Sequence, residues 1–117
     1  MSADLPTPSV DEVDLSAVLA ALADPLRRGV IVDLLARPDG EHACASFDLP
    51  VAKSTRTHHW RVLRQAGLIH QRDAGNGSYV HLRSEFAARF PGLLESIRDA
   101  HHASRTMGDQ QQPRIRS

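Results

Sequence analysis

The sequence predicts a mainly α-helical domain with one small two-stranded β-hairpin. Three features predict it. Apolar residues recur at helical spacing near residues 15–35 and again near 94–101. Residues 53–66 divide into an apolar face and a basic face. A Gly-Asn-Gly turn stands between two short extended segments.

Residues 1–12 hold two prolines and few apolar side chains, and read as a flexible arm. Leu15, Val18, Leu19 and Leu22 then mark one face of a first helix that ends near Ala23. Asp24-Pro25 opens a second helix, with Asp24 as N-cap and Pro25 at the first helical position, where a missing N–H costs nothing. Leu26, Val30, Ile31, Leu34 and Leu35 form its buried stripe, and Pro38-Asp39-Gly40 is a turn. Residues 43–49 read as a short third helix and 53–66 as a fourth, stopped by Gly67. Leu68-Ile69 begins a strand. Residues 73–78 turn it back, with Asn76-Gly77 supplying the positive φ of a tight hairpin, and Tyr79–Leu82 return. A last helix spans about 91–105, with Leu94, Ile97 and His101 along one face, and 106–117 read as a flexible tail. The folded domain is thus 13–105. A short helix, a tight connection, a basic helix and a Gly-rich hairpin describe a winged helix-turn-helix.

The chain has 117 residues and a mass of 12.9 kDa, about one domain. Five aromatic residues allow a small core, and chains of this size often complete their burial by pairing with another subunit. One cysteine, Cys44, makes neither an internal disulfide nor a four-cysteine zinc site. The longest apolar run, Val18–Ala23, is far short of the roughly 20 residues that span a bilayer. The acidic N-terminus has no signal-peptide core, so the expected compartment is the cytoplasm and no membrane partner is expected. There is no phosphate-binding glycine loop, nucleophile motif or carboxylate pair, and no enzyme is expected.

The formal net charge of zero hides a strong asymmetry. Residues 1–48 carry nine acids and three bases; residues 49–83 carry six bases and one acid, Asp73. On a helical wheel His59, Val62, Leu63 and Ala66 gather on one side of 53–66. Ser54, Thr57, His58, Arg61 and Gln65 gather opposite, flanked by Lys53 and Arg64. No Asp or Glu occurs from 49 to 72. Short hydroxyls and cations suit phosphates, Arg and Gln reach base edges, and the helix N-terminus near Lys53–Thr55 adds a phosphate site. Arg72 and Arg83 flank the hairpin, with Asn76 and Ser78 at its tip. Double-stranded DNA is the expected partner. A winged-helix module that binds protein is the alternative from another class; steep salt dependence of DNA binding separates the two.

The segment ALADPLRRGVIVDLL, which ends at Leu35, the segment KSTRTHHWRVLRQAGLI at 53–69, and the Gly-Asn-Gly wing resemble the ArsR/SmtB family of bacterial winged-helix repressors. The resemblance covers about residues 13–105. It implies a homodimer joined by the first and last helices, which brings in Leu15, Val18, Leu19, Leu94, Ile97 and His101. It also implies a dyad-symmetric operator and repression relieved by a signal. By motif position it assigns DNA contact to Lys53, Ser54, Thr55, Thr57, His58 and Arg61. Arg56, at a commonly apolar position, and Gly29, inside the second helix, depart from the pattern.

Metal sensing is a further alternative, kept open by seven histidines. His42 and Cys44 supply two ligands near the short third helix, where three or four are needed. Adjacent His101 and His102 point about 100° apart on the last helix and do not readily chelate one ion together. Glu85 and Asp99 are further donors across subunits. No cofactor is assigned on this basis; a transition metal ion is the alternative, and no effector is assigned.

Overall fold

A computed structural model of the chain describes residues 3–111, with side chains to Arg105. Strand β1 (Ala3–Asp4) and a 3₁₀ turn (Val10–Glu12) precede helices α1 (Leu15–Ala23) and α2 (Pro25–Ala36). Strand β2 (His42–Ala43) runs into a second 3₁₀ turn, Cys44–Ser46. Helix α3 (Lys53–Gln65) leads into the hairpin of β3 (Ile69–Asp73) and β4 (Ser78–Leu82), and α4 (Glu85–Arg89) and α5 (Leu93–Gln111) follow.

The local signals work as expected in the first half. Asp24 Oδ1 accepts from the Leu26 and Arg27 N–H groups at 2.8 and 3.1 Å. Burial pushes the Asp24 carboxyl up, but these two backbone bonds hold it below its ordinary pKa. Such a cap is worth about 1 kcal/mol. The next turn carries two struts. Arg27 donates to the Ala21 carbonyl and meets His59 Nδ1 at 3.1 Å, tying α2 to α1 and α3. Arg28 donates to the Leu22 carbonyl and to His101 Nδ1 at 3.0 Å, tying α2 to α5.

Val18, Leu22, Ile31, Leu34, Leu63, Leu68, Ile69, Val80 and Phe86 fill the core. Each buried aliphatic side chain contributes about 1.5–3 kcal/mol. Trp60 meets Phe47 edge-on with centroids 5.4 Å apart, fixing the inner face of α3 against the segment before it. Gly67 stops α3 at φ +82°, and a Cβ there would run into the Val13 side chain.

Several expectations are corrected. The sheet has four antiparallel strands, in the order β1-β3-β4-β2, not two. Residues 43–49 form no α-helix. His42–Ala43 pairs with Tyr79–Val80 instead, only one 3₁₀ turn remains, and Leu49 precedes Pro50, which disfavours helical backbone. The segment expected to be a loose arm is docked along residues 3–13. Ala3 and Asp4 pair with Asp73 and Arg72, and Thr7 donates to the Arg64 carbonyl at 2.9 Å. The positive φ of the hairpin turn falls on Gly75, not Gly77, and the Asp73 carboxylate accepts from the Gly75 N–H. The short helix α4 was not anticipated, and α5 takes in backbone of the expected tail to Gln111; residues 1–2 and 112–117 lie outside the described residues.

Candidate nucleic-acid interface

Helix α3 shows its polar face to solvent. Lys53, Ser54, Thr55, Thr57, His58, Arg61 and Gln65 are all exposed, while His59, Trp60 and Leu63 are buried. The N-cap, Ala52, has no side-chain hydrogen bond, so the first-turn N–H groups of α3 have no side-chain cap. Among the described residues no acid forms an ion pair with Lys53 or Arg61. The surface therefore combines open amides, short hydroxyls and unneutralised cations, a set suited to phosphate and base-edge contact.

Arg64 differs from its neighbours. It is half-buried and turned toward the sheet, where Nη1 donates to Gln71 Oε1 at 2.6 Å. Its Nε is buried with no acceptor. Burial, then repulsion from Arg61, lowers its pKa.

The wing is less basic than its sequence. Arg72 holds the Glu41 carboxylate with Nη2–Oε1 at 2.8 Å and lies over the Tyr79 ring at 5.0 Å. The hydrogen bond from Arg72 lowers the Glu41 pKa, and the same bond raises that of Arg72. Arg83 flanks the hairpin as expected, but its guanidinium is nearly buried and donates to the Pro8 carbonyl at 2.6 Å, where it clamps the N-terminal segment. Asn76 is exposed at the tip, while Ser78 is half-buried at the start of β4. His70 and His81 are half-buried. They face each other across the hairpin with rings 5.0 Å apart, and both Nδ1 atoms are buried without partners. Burial, then the neighbouring His70, lowers the His81 pKa.

The residues expected at a dimer interface divide. Leu15 and Leu19 are 43% and 48% exposed, and Ile97 is half-buried. Leu19, Leu22, Ile97, Ala100 and Ser104 line a shallow, largely apolar groove between α1 and α5. Val18 and Leu94 instead belong to the chain's own core, and His101 is buried against Arg28. Leu94 is therefore a packing residue of the chain's own core.

The four metal candidates are spread out. His42 is held by Arg37 through the Arg37 carbonyl at 2.9 Å. The Cys44 thiol is pushed up to about 12 by burial and is neutral near pH 7. His101 accepts from Arg28, and His102 is exposed with its ring 6.0 Å from that of His101. Glu85 lies 3.9 Å from Arg83, and Asp99 pairs with Arg98. Among the described residues no three His, Cys, Asp or Glu side chains cluster as a metal site.

Arg56, absent from the expected contact set, is half-buried and donates to the Val51 carbonyl at 2.7 Å.

No family model and no curated protein matches the chain. Among the described residues no helix is long and apolar enough to cross a membrane. Among solved structures, the chain is similar to an ArsR-like transcriptional regulator from Rhodococcus sp. RHA1, with 21% identity over 88% of this chain and 94% of that one, at a TM-score of 0.52. The fold of this chain is a winged helix-turn-helix.

Proposed function

We propose that the chain is a sequence-specific DNA-binding transcriptional regulator, not an enzyme, acting in the cytoplasm as a homodimeric repressor. The observation that carries this reading is the exposed, acid-free face of α3 within a winged helix-turn-helix. Lys53, Ser54 and Thr55 bind phosphate at the helix start, Thr57, His58, Arg61 and Gln65 lie along the major groove, and Asn76 meets the backbone from the wing tip. Leu15, Leu19 and Ile97 pair with their counterparts in a second copy. The dyad sets the two reading helices about 34 Å apart, one turn of duplex. The likeness in fold to an ArsR-like transcriptional regulator supports the regulator reading, and the repressor assignment rests on the resemblance of the motifs at 53–69 to the ArsR/SmtB family.

The test is selection of bound duplexes from a random pool with metal-free protein at about 0.1 M salt. An enriched inverted repeat, bound with steep salt dependence, is the expected result. No enrichment from folded protein, repeated with zinc and with nickel, overturns the reading in favour of a protein-binding module.

A further inference from the structure

The first helix of the helix-turn-helix, the one ahead of the reading helix α3, is reduced to the single 3₁₀ turn Cys44–Ser46, and the ground between that turn, α3 and the hairpin is open. A cavity of about 690 Å³ lies there, within the roughly 300–1,000 Å³ of small-molecule sites. We propose that it binds a small organic carboxylate with a flat apolar body, and that its occupation weakens DNA binding. The second half of this proposal rests on the DNA-binding reading above; the first does not.

Charge defines the ligand's head. Lys53, Arg56, Arg61 and Arg64 line the cavity against one acid, Asp48. Among the described residues none of the four cations is in an ion pair. Arg64 is the anchor. Gln71 occupies its Nη1, while Nε is a buried donor with no acceptor, a state that burial makes costly. The edge formed by Nε and Nη2 is the edge on which a guanidinium takes a carboxylate through two parallel hydrogen bonds. A phosphate on a rigid duplex does not reach a buried Nε. Nε is closed to the cavity as the side chain stands, so a small anion engages the fork only once the guanidinium turns toward it.

Shape defines the ligand's body. Trp60 and Phe47, packed edge to face, contribute aromatic surface to the lining, and Leu5 and Leu49 add aliphatic surface. A flat ring suits these walls. The regulatory consequence follows from shared residues. Lys53, Thr57 and Arg61 line the cavity and also belong to the exposed face of α3, so an anion held there competes for the cations that a phosphate needs.

Trp60 is the chain's single tryptophan and lines the cavity, so its fluorescence reports occupancy without any DNA. Metal-free protein is titrated at constant ionic strength with sodium benzoate and, separately, with the neutral isostere benzamide. The expected result is a saturable change with benzoate, half-complete below about 1 mM, and a response to benzamide roughly tenfold weaker or more. Arg64→Gln, checked for fold by circular dichroism, raises the benzoate midpoint at least about tenfold; Arg64→Lys, which keeps the charge and loses the fork, falls between. No saturable change up to about 10 mM, or equal responses to the acid and the amide, overturns the site. An unchanged midpoint in both folded variants overturns the role of Arg64. With the selected duplex in hand, saturating benzoate weakens binding about tenfold. Unchanged duplex affinity overturns the regulatory half and leaves the carboxylate site standing, as does failure to select any duplex.

Discussion

Helix α3 and the wing are both basic in sequence, yet they present charge very differently. On α3, Lys53 and Arg61 are exposed and stand in no ion pair among the described residues. On the wing, Arg72 is joined to Glu41, and Arg83 is clamped on the Pro8 carbonyl. Six bases in one stretch therefore do not make six sites for phosphate. What a polyanion meets is the set of cations with no nearer partner, and here that set lies on the helix.

The largest break in this comparison is mechanical. Gly67 joins α3 to the hairpin at a positive φ, against Val13. Gly67→Ala is expected to cost about 1–3 kcal/mol from backbone strain alone, with the clash adding to it. The melting temperature should drop by roughly 10 °C, measured by circular dichroism. An unchanged melting temperature would show that the joint is not under the constraint described.

Next comes the direct comparison of the two regions. Arg61→Ala should weaken binding to the selected duplex about tenfold or more, the loss expected for a base-reading arginine. Arg72→Ala should cost less, because Glu41 already neutralises that cation. Equal losses in fluorescence anisotropy titrations would refute the division of labour between helix and wing.

A smaller effect is expected from acid. The folded-state pKa of His81 lies below its ordinary value of 6.5, through burial and then through His70, with Glu41, Glu85 and Asp4 acting in the opposite sense. The folded chain thus binds fewer protons at this site than the unfolded chain does. The stability is fully present above about pH 6.5 and is lost as pH falls from there toward the lowered value. His101, depressed by burial and by Arg28, contributes with the same sign. Melting temperature should fall between pH 7.5 and 5.5, and His81→Gln should flatten part of that fall. A parallel pH profile in the variant would remove His81 from this account.

The smallest effect sharpens the comparison. Glu41→Gln removes the carboxylate paired with Arg72, so the wing gains one unit of net positive charge. Duplex affinity should rise by less than about tenfold, and the log–log salt slope should steepen by about one. An unchanged slope would mean that the charge gained at the wing does not act on a phosphate.

Where structure follows from neighbours along the chain, it is legible in the sequence. Asp24-Pro25 specifies its own cap, the wheel of 53–66 separates Leu63 from Arg61, and Gly67 ends the helix where only positive φ continues the path. What escapes is built from backbone pairing or from charges far apart in sequence. Ala3–Asp4 is a two-residue strand with no periodicity to read, and it is held by hydrogen bonds to β3. Glu41 and Arg72 are 31 positions apart, and nothing local marks them as partners. Arg64 illustrates the limit within one helix. The wheel places it at the margin of the polar face, and its inward turn depends on Gln71, whose position only the folded hairpin defines.

The docking of the N-terminal segment has a practical consequence. Ala3 pairs with Asp73, next to the wing tip, so the described fold begins beside the hairpin turn. A purification tag fused there would emerge where the duplex backbone is proposed to pass. An operator affinity measured with such a fusion would report the tag's bulk and charge together with the wing's own contribution. Cleaving the tag before the binding assay restores the edge of the sheet as the fold presents it, with the two-residue strand β1 forming a short edge beside β3.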